Sequence, residues 1–423
     1  MATDLPSLMQ NVVAPLVKIV LLIGGLMTAA AYFVLLERWM AAWVQDRRGP
    51  NRVGIPLTRI KLLGLGQPLA DGIKFITKEE YTPSHVDKPV YILAPIVILS
   101  AALAIFAVIP FGSVLPPIPG IPGLDKEPIP LLVAPGLDPS LVFVFALSSI
   151  AVFPVILGGW ASNNKYSFLG GLRSSAQLIA YEIPLGLGIL GVALVSGSIR
   201  LDKVIVDQAA SGVWNAFLQP LGLLVFVVAA FAEAARLPFD LPEAEQELIG
   251  GYHTEYAGLK LLLFLVAEFL HMITAAFLIV ILFFGGWHLW GLTGFSEESI
   301  SWAQALLRIA VLSAKVFLVI LFFMMVRWSW PRFRFDQLMA LAWKVLLPLG
   351  LVNLVVVAVM VEYGGTLKSQ FGGGVYWIFA ISGWLALIAA WVVAALVSPS
   401  HDDNTPRRAA QKFDTEAEFY RTF

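Results

Sequence analysis

The sequence of 423 residues has no cysteine, only five histidines, and charged side chains at just 13% of positions. The absence of cysteine excludes structural disulfides, thiolate zinc sites and cysteine-ligated iron–sulfur clusters from this polypeptide. Soluble domains carry about 25% charged and about 45–50% apolar residues. Here 58% of residues are hydrophobic and the mean hydropathy is +0.81. Water is therefore not the main solvent of this chain. A net charge of -1 leaves no global field that would attract nucleic acid, so none is expected as a partner. The composition specifies an integral membrane protein whose redox metals, if any, reside in other subunits.

A spanning helix needs about 20 apolar residues to cross ~30 Å of hydrocarbon. Nine segments meet that demand, near 12–36, 90–111, 140–161, 174–197, 214–235, 257–285, 304–327, 345–362 and 375–397. The expectation is an all-α polytopic fold, with residues 1–397 a single transmembrane domain and 398–423 a cytoplasmic tail. The start of the chain lacks a basic region and its apolar run is too long for a cleaved signal. With the N-terminus outside, 21 of the 28 Lys and Arg fall on the inner side. The outer connections hold only Lys126, Arg200, Lys203 and Lys368. Positive charge collects inside, which places the N-terminus outside and the C-terminus in the cytoplasm.

The outer connection 110–139 is rich in Pro and Gly and reads as an irregular capping loop. No long repeat and no inverted pair of broken helices of the secondary-transporter kind is evident. Unusual residues concentrate on the inner side. After Glu37 and Arg38 come Gln45, Asp46, Arg47 and Arg48, then a break at Gly49–Pro50. In GQPLADGIKFITKEE, Leu69, Ile73 and Ile76 recur at helical spacing, with Asp71, Lys74 and Lys78 on other faces. That pattern predicts a short amphipathic helix in the membrane interface, either an anchor or a wall of a cavity that admits an amphiphile.

The connection RLPFDLPEAEQELIGGYHTEY carries Asp240, Glu243, Glu245, Glu247 and Glu255, with Glu233 just before it. Asp240 and Glu243 have capping-box spacing, but a cap needs one or two acids. Crowded carboxylates in a dry site hold protons, which favours a functional reading. Within the spans, Glu182 has no basic residue in its own segment and Pro184 loosens its helix, so a proton-relay role is expected. Glu268 and His271 share a helix face at i,i+3, as do Arg308 and Lys315 at i,i+7; these read as helix glue or as functional pairs, with Glu268 a candidate partner for the cations. Haem is not expected, because only His271 lies deep in a span and a b-type haem needs two facing ligands. Arg327 to Lys344 alternates Arg327, Arg332 and Arg334 with aromatics, as a membrane anchor, a cationic, aromatic-lined entrance or a docking face for an acidic partner would.

Taken in order, Glu37-Arg38, Gln45 with RRGPNRVG, GQPLADGIKFITKE, AEAARLPFDLPEAEQELIGGYHTEY and PRFRFDQLM make the chain resemble the H-subunit family of bacterial respiratory complex I, over roughly residues 12 to 365. The resemblance implies a membrane subunit of a proton-pumping NADH:quinone oxidoreductase, resident in the bacterial inner membrane. Quinone is the implied substrate, with no covalently bound cofactor in this chain. Flavin and iron–sulfur clusters are implied for partner subunits only. The implied quinone channel runs near Arg38, Arg47, Gln67, Asp71, Lys74, Phe239, Arg327, Arg332 and Arg334. The implied proton path uses Glu37, Glu182, Glu233, Asp240, Glu243, Glu245, Glu247 and Glu255. Implied partners are the peripheral-arm quinone-site subunits, the small membrane subunits beside the antiporter-like ones, and lipid. Ala235 and His253 depart from the family's usual residues, and the ninth span and tail extend past its core.

Three classes remain: this family's membrane component, its homologue in a hydrogenase or another-donor dehydrogenase, and a stand-alone ion transporter. The long acidic-loop match favours the quinone enzyme. The missing repeats count against the transporter. The isolated chain is expected to have no oxidoreductase activity of its own.

Overall fold

The computed structural model describes residues 9–54, 61, 63–120, 124–125, 128–240, 250–294, 301–371 and 374–397. The expected proton-path acids Glu243, Glu245 and Glu247, and the tail, lie outside the described residues. The principal helices are α1 (Ala14–Val44), α2 (Gln67–Thr77), α3 (Lys88–Ile105), α4 (Ser140–Ile150), α5 (Val152–Ala161) and α6 (Lys165–Ser196). They continue with α7 (Leu201–Ser211), α8 (Pro220–Glu233), α9 (Gly258–Phe283), α10 (Trp302–Ser329), α11 (Leu347–Phe371) and α12 (Val375–Val397). The protein is an all-α polytopic membrane protein. Eight helical stretches among the described residues are long and apolar enough to cross a bilayer, with α4 and α5 forming one of them.

The apolar segment 214–235 does not form one long helix. A short turn, Asn215–Leu218, ends at Gln219, and α8 restarts at Pro220 and runs only 14 residues. Proline suits a first helical position because its missing N–H would be unpaired there. At 1.5 Å per residue, α8 covers about 21 Å, less than the hydrocarbon thickness. Two connections between spans also hold local order that composition did not foretell. Val114 and Leu115 pair antiparallel with Pro130 and Ile129, and α7 is a helix between two spans.

The core sits around α9, whose most apolar window is 78% buried, against 11% for α12. Helix α9 touches α1, α2, α3, α8 and α10, while α6 packs on α5, α8 and α11. Asn164 caps α6 by accepting from the Tyr166 amide, and Gly197 ends it in the left-handed region. Gly170 on α6 lies so close to the following turn that a Cβ there would sit 2.7 Å from Gly251 backbone atoms. That approach fixes the turn Gly251–His253 and so aims Tyr252 into the bundle.

Lys315 does not pair with Glu268. Its Nζ donates to the carbonyls of Phe284, Gly286 and His288 at 2.7, 3.0 and 2.7 Å, completing the C-terminal end of α9. Arg308 donates to the carbonyls of Thr293 and Gly294 and to Ser113 Oγ.

Candidate functional site

Helix α1 runs unbroken to Val44, well past its apolar run, and so carries Glu37 and Arg38 in its last turns. Helix α2 exposes Leu69, Ile73 and Ile76 on one face. Its other side is polar: Asp71 accepts from Arg38 Nη1 at 2.7 Å and from Gln67 Nε2 at 3.0 Å. The amphipathic pattern therefore serves two surfaces, an apolar one for lipid and a charged one that clasps α1.

Between α1, α2, α9 and the end of α10 lies an open chamber of about 900 Å³. Met27, Val34, Leu262, Val266 and Phe269 give it an apolar floor, and Arg38, Arg47, Asp71, Arg236 and Arg327 give it charge. Ligand sites commonly occupy about 300–1,000 Å³ and combine apolar walls with a few polar groups. Glu37, buried at 7% exposure, accepts from both Arg327 and Arg236. The Arg236 guanidinium also lies over the Phe269 ring at 4.1 Å. Its Nε and Nη2 are buried without a hydrogen-bond partner among the described residues. Those open donors on Arg236 suit an oxygen-bearing head group.

Deeper in the bundle, Glu182 on α6 and Glu233 on α8 accept from the adjacent hydroxyls Ser149 and Ser148 of α4. Both carboxylates line an enclosed cavity of about 50 Å³, together with Tyr252, Glu268 and His271. At ~10–15 Å³ per water, that space holds a few molecules in contact with several ionisable groups. Tyr252 OH donates to Glu268 Oε1 at 3.2 Å. Glu268 lines the open chamber as well as the closed cavity. One carboxylate thus faces both spaces.

The remaining candidates are dispersed around these two spaces. Asp240, 2% exposed, pairs with Arg332 at 3.5 Å outside the chamber lining. Phe239 is buried between Phe333, stacked at 5.5 Å, and Tyr181, and does not line the chamber. Arg334 is exposed at the start of the turn Phe335–Ala340, and Lys74 is exposed beside Phe75. Neither lines the chamber. Glu255 accepts from Asn164 Nδ2 at 2.6 Å, at the turn that follows Tyr252. Tyr181, adjacent to Glu182, donates to the Leu338 carbonyl and takes no part in the acid cavity.

Sequence reasoning did not single out Arg236, Tyr252, Ser148 or Ser149. The serine pair inside an apolar span was a visible signal. Arg236 carried none, because a cation at a helix end is ordinary.

Fold and site define a class: a polytopic membrane protein with an amphipathic chamber at one end of its bundle and ionisable groups leading inward from it. The sequence model of the NADH dehydrogenase family matches residues 17–358. The chain is 42% identical over 357 residues to a Koribacter versatilis protein named as an H subunit of NADH-quinone oxidoreductase, covering 82% of this chain and 96% of that one. The H subunit of the Leptospira biflexa NADH-quinone oxidoreductase is 41% identical over 349 residues, covering 82% and 94%. A Geobacter metallireducens protein, also named as an H subunit of that oxidoreductase, is 44% identical over 341 residues, covering 81% and 94%. The chain belongs to the NADH dehydrogenase family, and α12 lies beyond the region that the family model matches.

Proposed function

We propose that this chain is the membrane subunit of a proton-translocating NADH:quinone oxidoreductase. In this reading it forms the membrane part of the quinone-binding chamber and couples quinone reduction to proton movement. The observation that carries the reading is Glu268, which borders both the amphipathic chamber and the enclosed acid cavity. Reducing a quinone consumes protons and places transient negative charge in the chamber. Arg327 and Arg236 stabilise that charge, and Glu37 tunes them. Glu268, Glu182 and Glu233 share one small space, so a change of charge at Glu268 is felt at the other two. Asp240 and the acids at 243, 245 and 247 extend the path along the loop, with Glu255 beside it. Arg38, Arg47, Gln67 and Asp71 hold the entrance, and Arg332 and Arg334 meet the peripheral-arm subunits. Flavin and iron–sulfur clusters belong to those partners. The distribution of Lys and Arg supports an inner-membrane placement with the N-terminus outside.

The test is Glu182→Gln in the assembled complex. Electron transfer from NADH to a water-soluble acceptor stays normal, because that route ends before this chain. Quinone-dependent turnover and proton pumping fall by about tenfold or more. Wild-type pumping at the wild-type rate would make Glu182 a structural residue and overturn the relay.

A further inference from the structure

His271 occupies a position that the proposed relay does not yet use. It lies one helical turn beyond Glu268 on α9, on the same face, and lines the same enclosed cavity. It also lines a second, smaller cavity of about 20 Å³, bordered by Ser148, Glu233 and Thr274. That space is just large enough for one water. Glu268 and Glu182 do not border this second space, whereas Glu233 borders both. His271 Nε2 is buried and has no hydrogen-bond partner among the described residues. A purely structural core histidine normally satisfies its ring nitrogens, since a buried unpaired polar atom costs about 1–3 kcal/mol.

The ionisable groups that line this cavity with His271 come from several elements: Glu182 from α6, Glu233 from α8, Glu268 from α9 itself and Tyr252 from the turn Gly251–His253. Three are carboxylates. An imidazole has two nitrogens, so it can accept a proton at one and release another from the opposite side.

We propose that His271 is a proton carrier between Glu268 and Glu233, joining the chamber-facing carboxylate to the inner one. The transfer conserves atoms and charge: a proton leaves the Glu268 carboxyl through a cavity water for one ring nitrogen, and the other nitrogen releases a proton towards Glu233. The inference rests on the relay reading above, so its test must separate the two.

The experiment compares His271→Gln, His271→Leu and Glu182→Gln in the assembled complex, using acceptor activity to confirm complex content. Quinone turnover is measured across pH, and proton pumping is measured in vesicles. Glutamine preserves volume and hydrogen bonding but carries no proton at these pH values. His271→Gln should lower quinone turnover and proton pumping by about tenfold or more and alter the pH profile of that turnover. His271→Leu should lower turnover at least as far. If His271→Gln keeps wild-type turnover, pumping and pH profile while Glu182→Gln loses them, the relay stands and His271 is packing. If Glu182→Gln is also wild-type, the relay itself falls, and this inference with it. Should the leucine variant fail to assemble, the glutamine variant alone decides.

Discussion

Two sets of ionisable groups lie within the bundle, and they are held in opposite ways. Towards one end, Arg308 and Lys315 spend their donors on backbone carbonyls and a serine, and Lys315 also sits over Trp214 at 4.6 Å. Towards the other, Glu182, Glu233 and Glu268 meet hydroxyls and open onto enclosed space. The two sets are well apart: along α9, Glu268 stands about 24 Å, at 1.5 Å per residue, from Phe284, whose carbonyl Lys315 holds. A cation wrapped in carbonyls has one arrangement and its loss is a structural injury. A carboxylate beside a cavity has room to exchange a proton and to be rehydrated. The first set closes the bundle, and the second leaves it responsive.

The sharpest way to break this contrast is to remove a cation. Lys315→Leu leaves three carbonyls at the end of α9 without their donor, at a cost of about 3–6 kcal/mol. The expected result is poor accumulation and a lower unfolding temperature of the extracted complex. The residual complex should keep its quinone turnover per molecule. A variant that is stable but inactive would erase the distinction between the two ends.

Glu233→Gln is the complementary change. It keeps the contact with Ser148 and should leave thermal stability within about 1 kcal/mol. Quinone turnover should fall by about tenfold or more, with acceptor activity intact. The double variant with Glu182→Gln should be far less than additive, because the two acids share one cavity. Full additivity would show that they act separately.

Gly170→Ala probes how the acid end is built. Its Cβ would push on the Gly251 backbone and displace the turn that carries Tyr252, at roughly 1–3 kcal/mol. Turnover should drop even though no ionisable group has changed, and a Tyr252→Phe variant should reproduce part of the loss.

The smallest effect concerns His288, beside the cation end. Burial, then the nearby charges of Lys315 and Arg308, hold its pKa below the ordinary value of 6.5. A depressed pKa favours the neutral form in the folded chain. The associated stability is complete above the ordinary value and is lost as the pH falls through it. His288→Gln should therefore flatten the acid-side fall of the unfolding temperature between neutral and mildly acidic pH. An unchanged pH slope would remove His288 from that role.

Much of this organisation was legible from composition and spacing. Glu182 stood out because an acid without a cation in its own apolar segment is expensive. The two-faced character of α2 followed from Leu69, Ile73 and Ile76 recurring against Asp71 and Lys74. The importance of Glu268 was less visible. Its i,i+3 relation to His271 was plain, but the same spacing fits helix glue, and sequence does not show which spaces a side chain borders. Phe239 was expected near the quinone, and its stack with Phe333 is a tertiary pairing that spacing does not announce.

By itself the sequence determined the solvent of this protein, its helical class, the asymmetry of its charge and the exclusion of cysteine-bound redox centres from the chain. These properties depend on amounts and periods, which local chemistry enforces wherever the helices finally lie. Only the tertiary structure decided that α8 is short and follows a break at Gln219, that Arg38 reaches Asp71 across 33 positions, and that Arg327 reaches Glu37 across 290. It also decided that Glu268 would border two spaces at once. The physical reason is that helical periodicity reports each helix's own faces. Which faces meet depends on crossing angles and on close approaches such as Gly170 against Gly251, and the apolar surfaces of neighbouring spans are too alike to announce those pairings in advance.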